Sequence, residues 1–219
     1  MSSNLIKRII TSFFLLSLLI LMFFFSYILL ISLLIISIIS WIEFNSLISK
    51  IFKNKNFKDN IFKFGYKIIS LLYLFLIVFL ILHIQSNVPE LRVLIFYSIL
   101  ISIMSDIGGL TVGKIFKGKK LTKISPNKTI SGSVGSIIFS LILIPFFVEI
   151  VDLTYHELFI ATFLISLTSQ TGDIFISYLK RKAKVKDTSN ILPGHGGLLD
   201  RIDGIIFAIP VGYFLLSSF

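Results

Sequence analysis

The sequence contains no cysteine. Disulfide frameworks and thiolate metal sites are therefore excluded. Charge is scarce as well: 15% of the residues are charged, against about 25% in soluble domains. Acidic side chains are scarcer still, 11 Asp and Glu in 219 residues against 21 Lys and Arg. Long runs of Leu, Ile and Phe take the place of charge. Hydrophobic residues make up 55% of the chain and the mean hydropathy is +0.96. A surface of that composition has lipid as its solvent. The net charge of +10 taken alone suggests nucleic acid. The basic residues, however, sit in short segments between apolar runs, as juxtamembrane charge does, so no nucleic-acid partner is expected.

Lys7-Arg8 followed by an apolar run superficially resembles a signal peptide. The run continues to Trp41 without a small-residue cleavage site, so it reads as retained membrane structure. A single span needs roughly 20 residues. The block Ile9–Trp41, which has neither Gly nor Pro, predicts two closely joined helices turning near Ser26-Tyr27. The polar stretch Glu43–Lys67 follows, with Lys50–Asn60 read as a solvated loop. Further spans are expected at Ile68–Gln85, Leu91–Val112, Ile130–Ile150, Tyr155–Leu179 and Leu199–Leu216. A turn at Ser86–Glu90, a basic loop at Gly113–Lys128, an acidic connection at Asp152 and a polar segment at Lys180–Leu199 join them. The expected fold is all-α: a polytopic integral membrane protein of about seven transmembrane helices with a cytoplasm-facing polar site. Residues 1–90 form the N-terminal helices and basic loop, and residues 91–219 the catalytic region. With seven spans, 20 of the 21 Lys and Arg residues lie on one side or at its helix ends, Arg92 excepted. The positive-inside rule makes that side cytoplasmic.

Charged groups inside spans are costly and need a reason. Asp106, Gly109 and Gly113 share one helical face by their i, i+3, i+7 spacing. Small residues there let a ligand or another backbone approach the carboxylate. Ser166, Gln170, Asp173 and Ser177 make a second polar stripe. Gly132, Ser136 and Ser140 make a small-xxx-small face suited to close packing. Packing and inter-helix hydrogen bonds account for the Ser and Gly residues. They account poorly for Asp106 and Asp173.

The most informative segment runs from Lys180-Arg181-Lys182 through Lys184, Lys186 and Asp187 to Pro193-Gly194-His195-Gly196-Gly197, then Asp200-Arg201-Ile202-Asp203. Cations come first, then a glycine-rich turn, then two carboxylates at i, i+3. Glycines let backbone N–H groups approach a polyanion. Lys and Arg neutralise phosphate oxygens. Carboxylates beside bound phosphates suit Mg²⁺, which takes oxygen ligands and is commonly held by one or two carboxylates plus phosphates. An ordinary positive-inside loop explains the lysines but not the glycine–carboxylate pairing.

These residues resemble the phosphatidate cytidylyltransferase (CDP-diacylglycerol synthase) family. Its C-terminal signature S-x-x-K-R, K-D, P-G-H-G-G-x-x-D-R-x-D is matched in order and spacing from Ser177 to Asp203. Gly172-Asp173 fits its G-D dipeptide, Asp106-Ile107-Gly108 its D-x-G element, and Lys123–Thr129 its K-x-S-P-x-K-T element. The sequence departs from the family at Ile176, where Glu is common, and at Ile130-Ser131, where an aromatic residue and Glu are common. The resemblance implies an all-helical membrane enzyme open to the cytoplasm and the bilayer. It implies Mg²⁺ at Asp173 and Asp200, and a second, monovalent cation such as K⁺ associated with the site.

On this reading CTP and phosphatidate are the partners, and phosphatidate reaches the site from the lipid bilayer. Asp203 and Asp106 hold a second cation or orient the first. Lys180, Arg181, Lys186 and Arg201 bind phosphates, and Lys186 stands with Asp173, Asp200 and Asp203 in the catalytic set. Lys128, Ser125 and Thr129 reach nucleotide or lipid phosphate. Gly196 and Gly197 line the phosphate turn, and His195 binds phosphate or shapes that turn. The expected location is the inner membrane of a bacterial cell, and a homodimer is compatible with the sequence. Rival readings are a CTP-dependent kinase or transferase acting on a polyprenol-type lipid, an ion-coupled transporter, and an inactive membrane scaffold.

Overall fold

The computed structural model describes residues 3–53, 56–87, 92–151 and 153–218. Helices account for almost all regular structure among them. They are α1 (Ser3–Phe24), α2 (Ser26–Ile51), α3 (Phe57–Asn87), α4 (Arg92–Phe116), α5 (Ile130–Leu141), α6 (Ile144–Val151), α7 (Tyr155–Lys182), α8 (Leu199–Ile202) and α9 (Ile205–Ser218). The all-α expectation holds. Five of these, α1 to α4 and α7, are long and apolar enough to cross a membrane. The bent pair α5 and α6 makes a sixth candidate. The last helix has 14 residues, short of the roughly 20 that a straight span needs. The protein is a membrane protein.

Local chemistry explains the breaks. The long first block divides at Phe25, one residue before the expected turn; Phe25 is extended (φ −117°, ψ 109°) and caps α2. Its N–H still donates to the Leu21 carbonyl, and its own carbonyl accepts from Leu29. The expected span 130–150 bends by 43° between α5 and α6. Pro145 has no N–H to return to Leu141, and its ring crowds that carbonyl. The polar stretch after Glu43 corrects the sequence reading. Helix α2 runs on to Ile51 and α3 starts at Phe57, so most of the expected loop is helical. Lys is a good helix former, and a helix need not stop where hydrocarbon ends. The expected turn at 86–90 lies mostly, and the connection at Asp152 wholly, outside the described residues.

The chain divides into two compact units. The first comprises Met1–Leu82 and Leu179–Ile202. Its helices are little covered: 6% of the apolar window of α1 is buried and 22% of that of α3. Phe52, at the end of α2, meets Phe62 and Tyr66 of α3 at ring centroid distances of 6.3 and 5.7 Å.

The second unit comprises His83–Tyr178 and Asp203–Phe219. Leu94, Tyr97, Ile101, Ile144, Leu158, Ala161, Ile165, Ala208 and Leu216 form its core. Hydroxyls link its helices: Tyr97 with Thr162 at 2.5 Å, Ser102 with Ser169 at 2.7 Å, and Ser136 to the Ser105 carbonyl at 2.7 Å. Ser140 donates to the Ser166 hydroxyl at 3.1 Å. Helices α4 and α5 pack backbone to backbone, and a Cβ on Gly132 would lie 2.8 Å from the Gly109 carbonyl oxygen. The small faces at Gly109, Gly113, Gly132 and Ser136 therefore serve helix packing.

Candidate active site

In the first unit the end of α7 leads through a loop to α8. Leu192 and Gly196 pair across Pro193-Gly194-His195, with the Leu192 N–H donating to the Gly196 carbonyl at 2.8 Å. The turn needs left-handed backbone at Gly194 (φ 78°) and Gly196 (φ 86°), which glycine adopts freely. Two elements grip its tip. Arg201 donates from Nε and Nη2 to the His195 carbonyl at 3.1 and 2.7 Å. From α1, Arg8 Nε donates to the Gly194 carbonyl at 3.0 Å and the Thr11 hydroxyl to the Pro193 carbonyl at 3.0 Å. Ser12 Oγ lies 3.3 Å from His195 Nε2. A cavity of about 360 Å³ beside the turn is lined by Arg8, Asp187, Asn190, Leu192, Gly194 and Gly196.

Asp200 organises the base of this loop. Its Oδ1 accepts from Lys180 Nζ at 2.8 Å. Its Oδ2 accepts from the Thr188 N–H at 2.8 Å, the Thr188 hydroxyl at 3.0 Å and the Gly197 N–H at 3.0 Å. Burial pushes the carboxyl up, but the Lys180 ammonium and the Thr188 and Gly197 amides outweigh it and hold the group below its ordinary value. Burial, reinforced by the charge of Arg201, lowers the His195 value and favours the neutral ring; the Pro193 carbonyl opposes this and Arg8 adds to it. Arg181 and Lys186 are exposed, and Arg181 Nη1 lies 3.4 Å from the Val185 carbonyl.

The second unit holds the other candidate carboxylate. Lys128 pairs with Asp173 Oδ2, and the Ser177 hydroxyl donates to Asp173 Oδ1 at 3.3 Å. This joins the loop before α5 to the polar stripe of α7, two elements 45 residues apart in sequence. The loop is shaped locally. The Lys128 N–H donates to the Ser125 carbonyl at 3.1 Å, and Thr129 caps α5 by accepting from the Gly132 N–H at 3.0 Å. Ser131, at a position where the family commonly has Glu, accepts from the Gly118 N–H at 3.2 Å. Ile176 is buried. Asp106 is exposed on α4, and Asp203 is buried, accepting from the Gly204 N–H at 2.9 Å.

The Cytidylyltransferase family matches residues 4–219, nearly the whole chain. The chain belongs to the cytidylyltransferase family. Its similarity to named cytidylyltransferases is consistent with this. A phosphatidate cytidylyltransferase of Bacillus subtilis (strain 168) is 44% identical over 128 residues, 57% of this chain and 48% of that protein. One of Rickettsia bellii (strain RML369-C) is 37% identical over 161 residues, 68% of each chain. One of Staphylococcus aureus (strain COL) is 41% identical over 125 residues, 56% of this chain and 48% of that protein. The chain thus spans about half the length of the Bacillus and Staphylococcus cytidylyltransferases and about two thirds of the Rickettsia one.

Sequence reasoning named Lys128, Asp173, Lys180 and Asp200, the lysines for phosphate and the carboxylates for metal, but not their pairing with one another, and it missed three residues around the glycine turn. Thr188 bonds Asp200 twice, Arg8 lines the cavity, and Glu43 lies buried beneath the loop. A carboxylate inside an apolar helix was the available signal for Glu43. Its place at the head of a lysine-rich stretch hid it.

Proposed function

We propose that this protein transfers the cytidylyl group of CTP to phosphatidate, giving CDP-diacylglycerol and pyrophosphate. The observation that carries the proposal is the ion pair of Lys128 with Asp173, which joins the K-x-S-P-x-K-T and G-D elements in one place. Family membership and the names of the relatives support the same reading.

The donor chemistry fits Mg²⁺. Asp173 and Asp200 offer oxygen alone, and each already carries one ammonium group. Asp173 is the more open, its side chain 23% exposed against 4% for Asp200. Each of these carboxylates, taken within its own unit, is proposed as a ligand for Mg²⁺, and Asp106 and Asp203 for a second cation such as K⁺. Bound Mg²⁺ supplies charge neutralisation and orientation of the phosphates.

A phosphatidate oxygen attacks the α-phosphorus of CTP, and pyrophosphate leaves in line. The attacking group is already anionic, so no strong general base is required. The chain's contribution is positioning and charge stabilisation. Lys128, Lys180, Arg181 and Lys186 supply positive charge for phosphate, and Ser125 and Thr129 shape the loop that presents Lys128. The Pro193–Gly197 turn offers close backbone approach. Arg201 and neutral His195 hold that turn's shape. The lipid substrate keeps its acyl chains in hydrocarbon, and the polar groups face the cytoplasm from the inner membrane of a bacterial cell.

The test is transfer of label from CTP in the presence of phosphatidate. Label from the α-phosphate is expected in lipid, and label from the γ-phosphate in pyrophosphate. Lipid carrying γ-label would replace this reading with a lipid kinase. Omission of Mg²⁺ is expected to stop the reaction.

A further inference from the structure

Glu43 lies on α2, a helix apolar enough to span a membrane, and is 2% exposed. A carboxylate in such a place is costly unless its oxygens are satisfied. Four donors satisfy them. The Ser189 hydroxyl and the Leu198 N–H reach Oε1 at 2.5 and 3.0 Å. The Thr188 hydroxyl and the Leu199 N–H reach Oε2 at 2.9 and 2.7 Å. All four come from the loop and the start of α8, 145 to 156 residues away in sequence. No cation shares the carboxylate among the described residues, so its bonding capacity is committed to this loop.

Two further observations tie Glu43 to the site rather than to packing alone. A Cβ at Gly197 would lie 2.8 Å from both Glu43 oxygens and would strike the Thr188 hydroxyl. The glycine turn therefore closes directly on the carboxylate, and the second glycine of the pair leaves room for it. Thr188 then stands between two carboxylates, with one hydroxyl proton facing Glu43 Oε2 at 2.9 Å and Asp200 Oδ2 at 3.0 Å. Asp200 in turn holds Lys180. The chain of bonds runs from Glu43 through Thr188 to Asp200 and Lys180, all within the first unit.

We infer that Glu43 is a positioning residue: it anchors the glycine-rich loop and, through Thr188, fixes Asp200 and Lys180 for cytidylyl transfer. The kinetic part rests on the proposed activity; the anchoring part does not. Glu43 touches no reacting atom in this account. Its amide analogue, Glu43→Gln, keeps the shape but turns one acceptor into a donor facing donors.

The experiment uses the full chain in detergent micelles with CTP, phosphatidate and Mg²⁺. It measures turnover, thermal midpoint and amide-exchange protection of the peptide 195–202. Glu43→Gln is expected to lower protection and to lower kcat on the order of 100-fold, the scale of a small misplacement of reacting groups. Thr188→Val removes the hydroxyl that bridges Glu43 and Asp200 and leaves the Leu198 and Leu199 N–H bonds to Glu43 and the Thr188 N–H bond to Asp200 in place. It is expected to keep the protection of 198 and 199 and the thermal midpoint, yet to lower kcat about tenfold, with Thr188→Ser restoring it. Wild-type turnover per folded molecule in either Glu43→Gln or Thr188→Val would overturn the inference, whatever the thermal midpoint. If the unmutated protein does not use CTP and phosphatidate, the proposed activity fails instead. Protection in Glu43→Gln then decides the anchor, and unchanged protection refutes it. Should Glu43→Gln fail to fold, the Thr188 pair still decides.

Discussion

Asp173 and Asp200 each hold a lysine, but the two pairs are built to different ends. Asp173, in the second unit, is 23% exposed and has Lys128 and one hydroxyl around it. Asp200, in the first unit, is 4% exposed and takes four bonds from Lys180, Thr188 and Gly197. A partly open carboxylate with a single long hydroxyl bond exchanges partners at little structural cost. An enclosed one with its lone pairs committed fixes whatever surrounds it. The comparison separates an open carboxylate from an enclosed one: Asp173 keeps exposed oxygen, whereas Asp200 also ties the glycine loop in place.

Mutations test that separation. The largest effect is expected at Asp200. Asp200→Ala strands the Lys180 ammonium and three donors, and breaking a buried pair costs about 3–5 kcal/mol. Thermal unfolding in detergent should show a large drop in midpoint together with loss of turnover. A variant that melted like the parent would put Asp200 on the same footing as Asp173.

Asp173→Asn comes next and should divide the two readouts. A partly exposed pair is worth about 0–1 kcal/mol, so the midpoint should barely move. Turnover should fall on the order of 100-fold, the scale of losing one preorganised electrostatic group. A large loss of stability with retained turnover would reverse the roles assigned to the two residues.

Acid sharpens the contrast further. The Asp200 value is held below its ordinary 3.8 in the folded protein. Between the folded and ordinary values the folded state binds fewer protons than the unfolded state, so stability rises with pH there. The contribution is complete above the ordinary value and is lost as pH falls through the folded one. The midpoint of the parent should therefore fall in strong acid more steeply than that of Asp200→Asn. Parallel curves for the two proteins would show that Asp200 is not the group responsible.

The smallest effect is expected for Arg8→Ala, which removes one exposed bond to the Gly194 carbonyl, worth about 0.5–1.5 kcal/mol. It should raise KM for CTP a few-fold and leave the thermal midpoint nearly unchanged. A collapse of stability would mean that α1 holds the turn more strongly than Asp200 does.

Much of this was readable from the chain. Apolar runs separated by basic segments defined helices and membrane, and the missing Gly and Pro in Ile9–Trp41 left length as the clue to a break that falls at Phe25. The glycine turn and the carboxylates around it were legible because their residue types have few other uses at that spacing. Arg8 and Glu43 were not, since one reads as a juxtamembrane cation and the other as the edge of a lysine-rich loop. The role of Gly109 was also open, since a small residue beside Asp106 admits a ligand or another backbone, whereas Gly132 already read as a packing face. The α4–α5 packing chose the helix.

The sequence by itself determined the solvent of this protein, its helices and the residue types of its polar site, because these follow from local composition and periodicity. Only the tertiary structure decided that Asp200 is enclosed while Asp173 stays open, and that Glu43 lies under the glycine turn. Burial and the meeting of residues some 150 positions apart are properties of packing, and no local pattern encodes them.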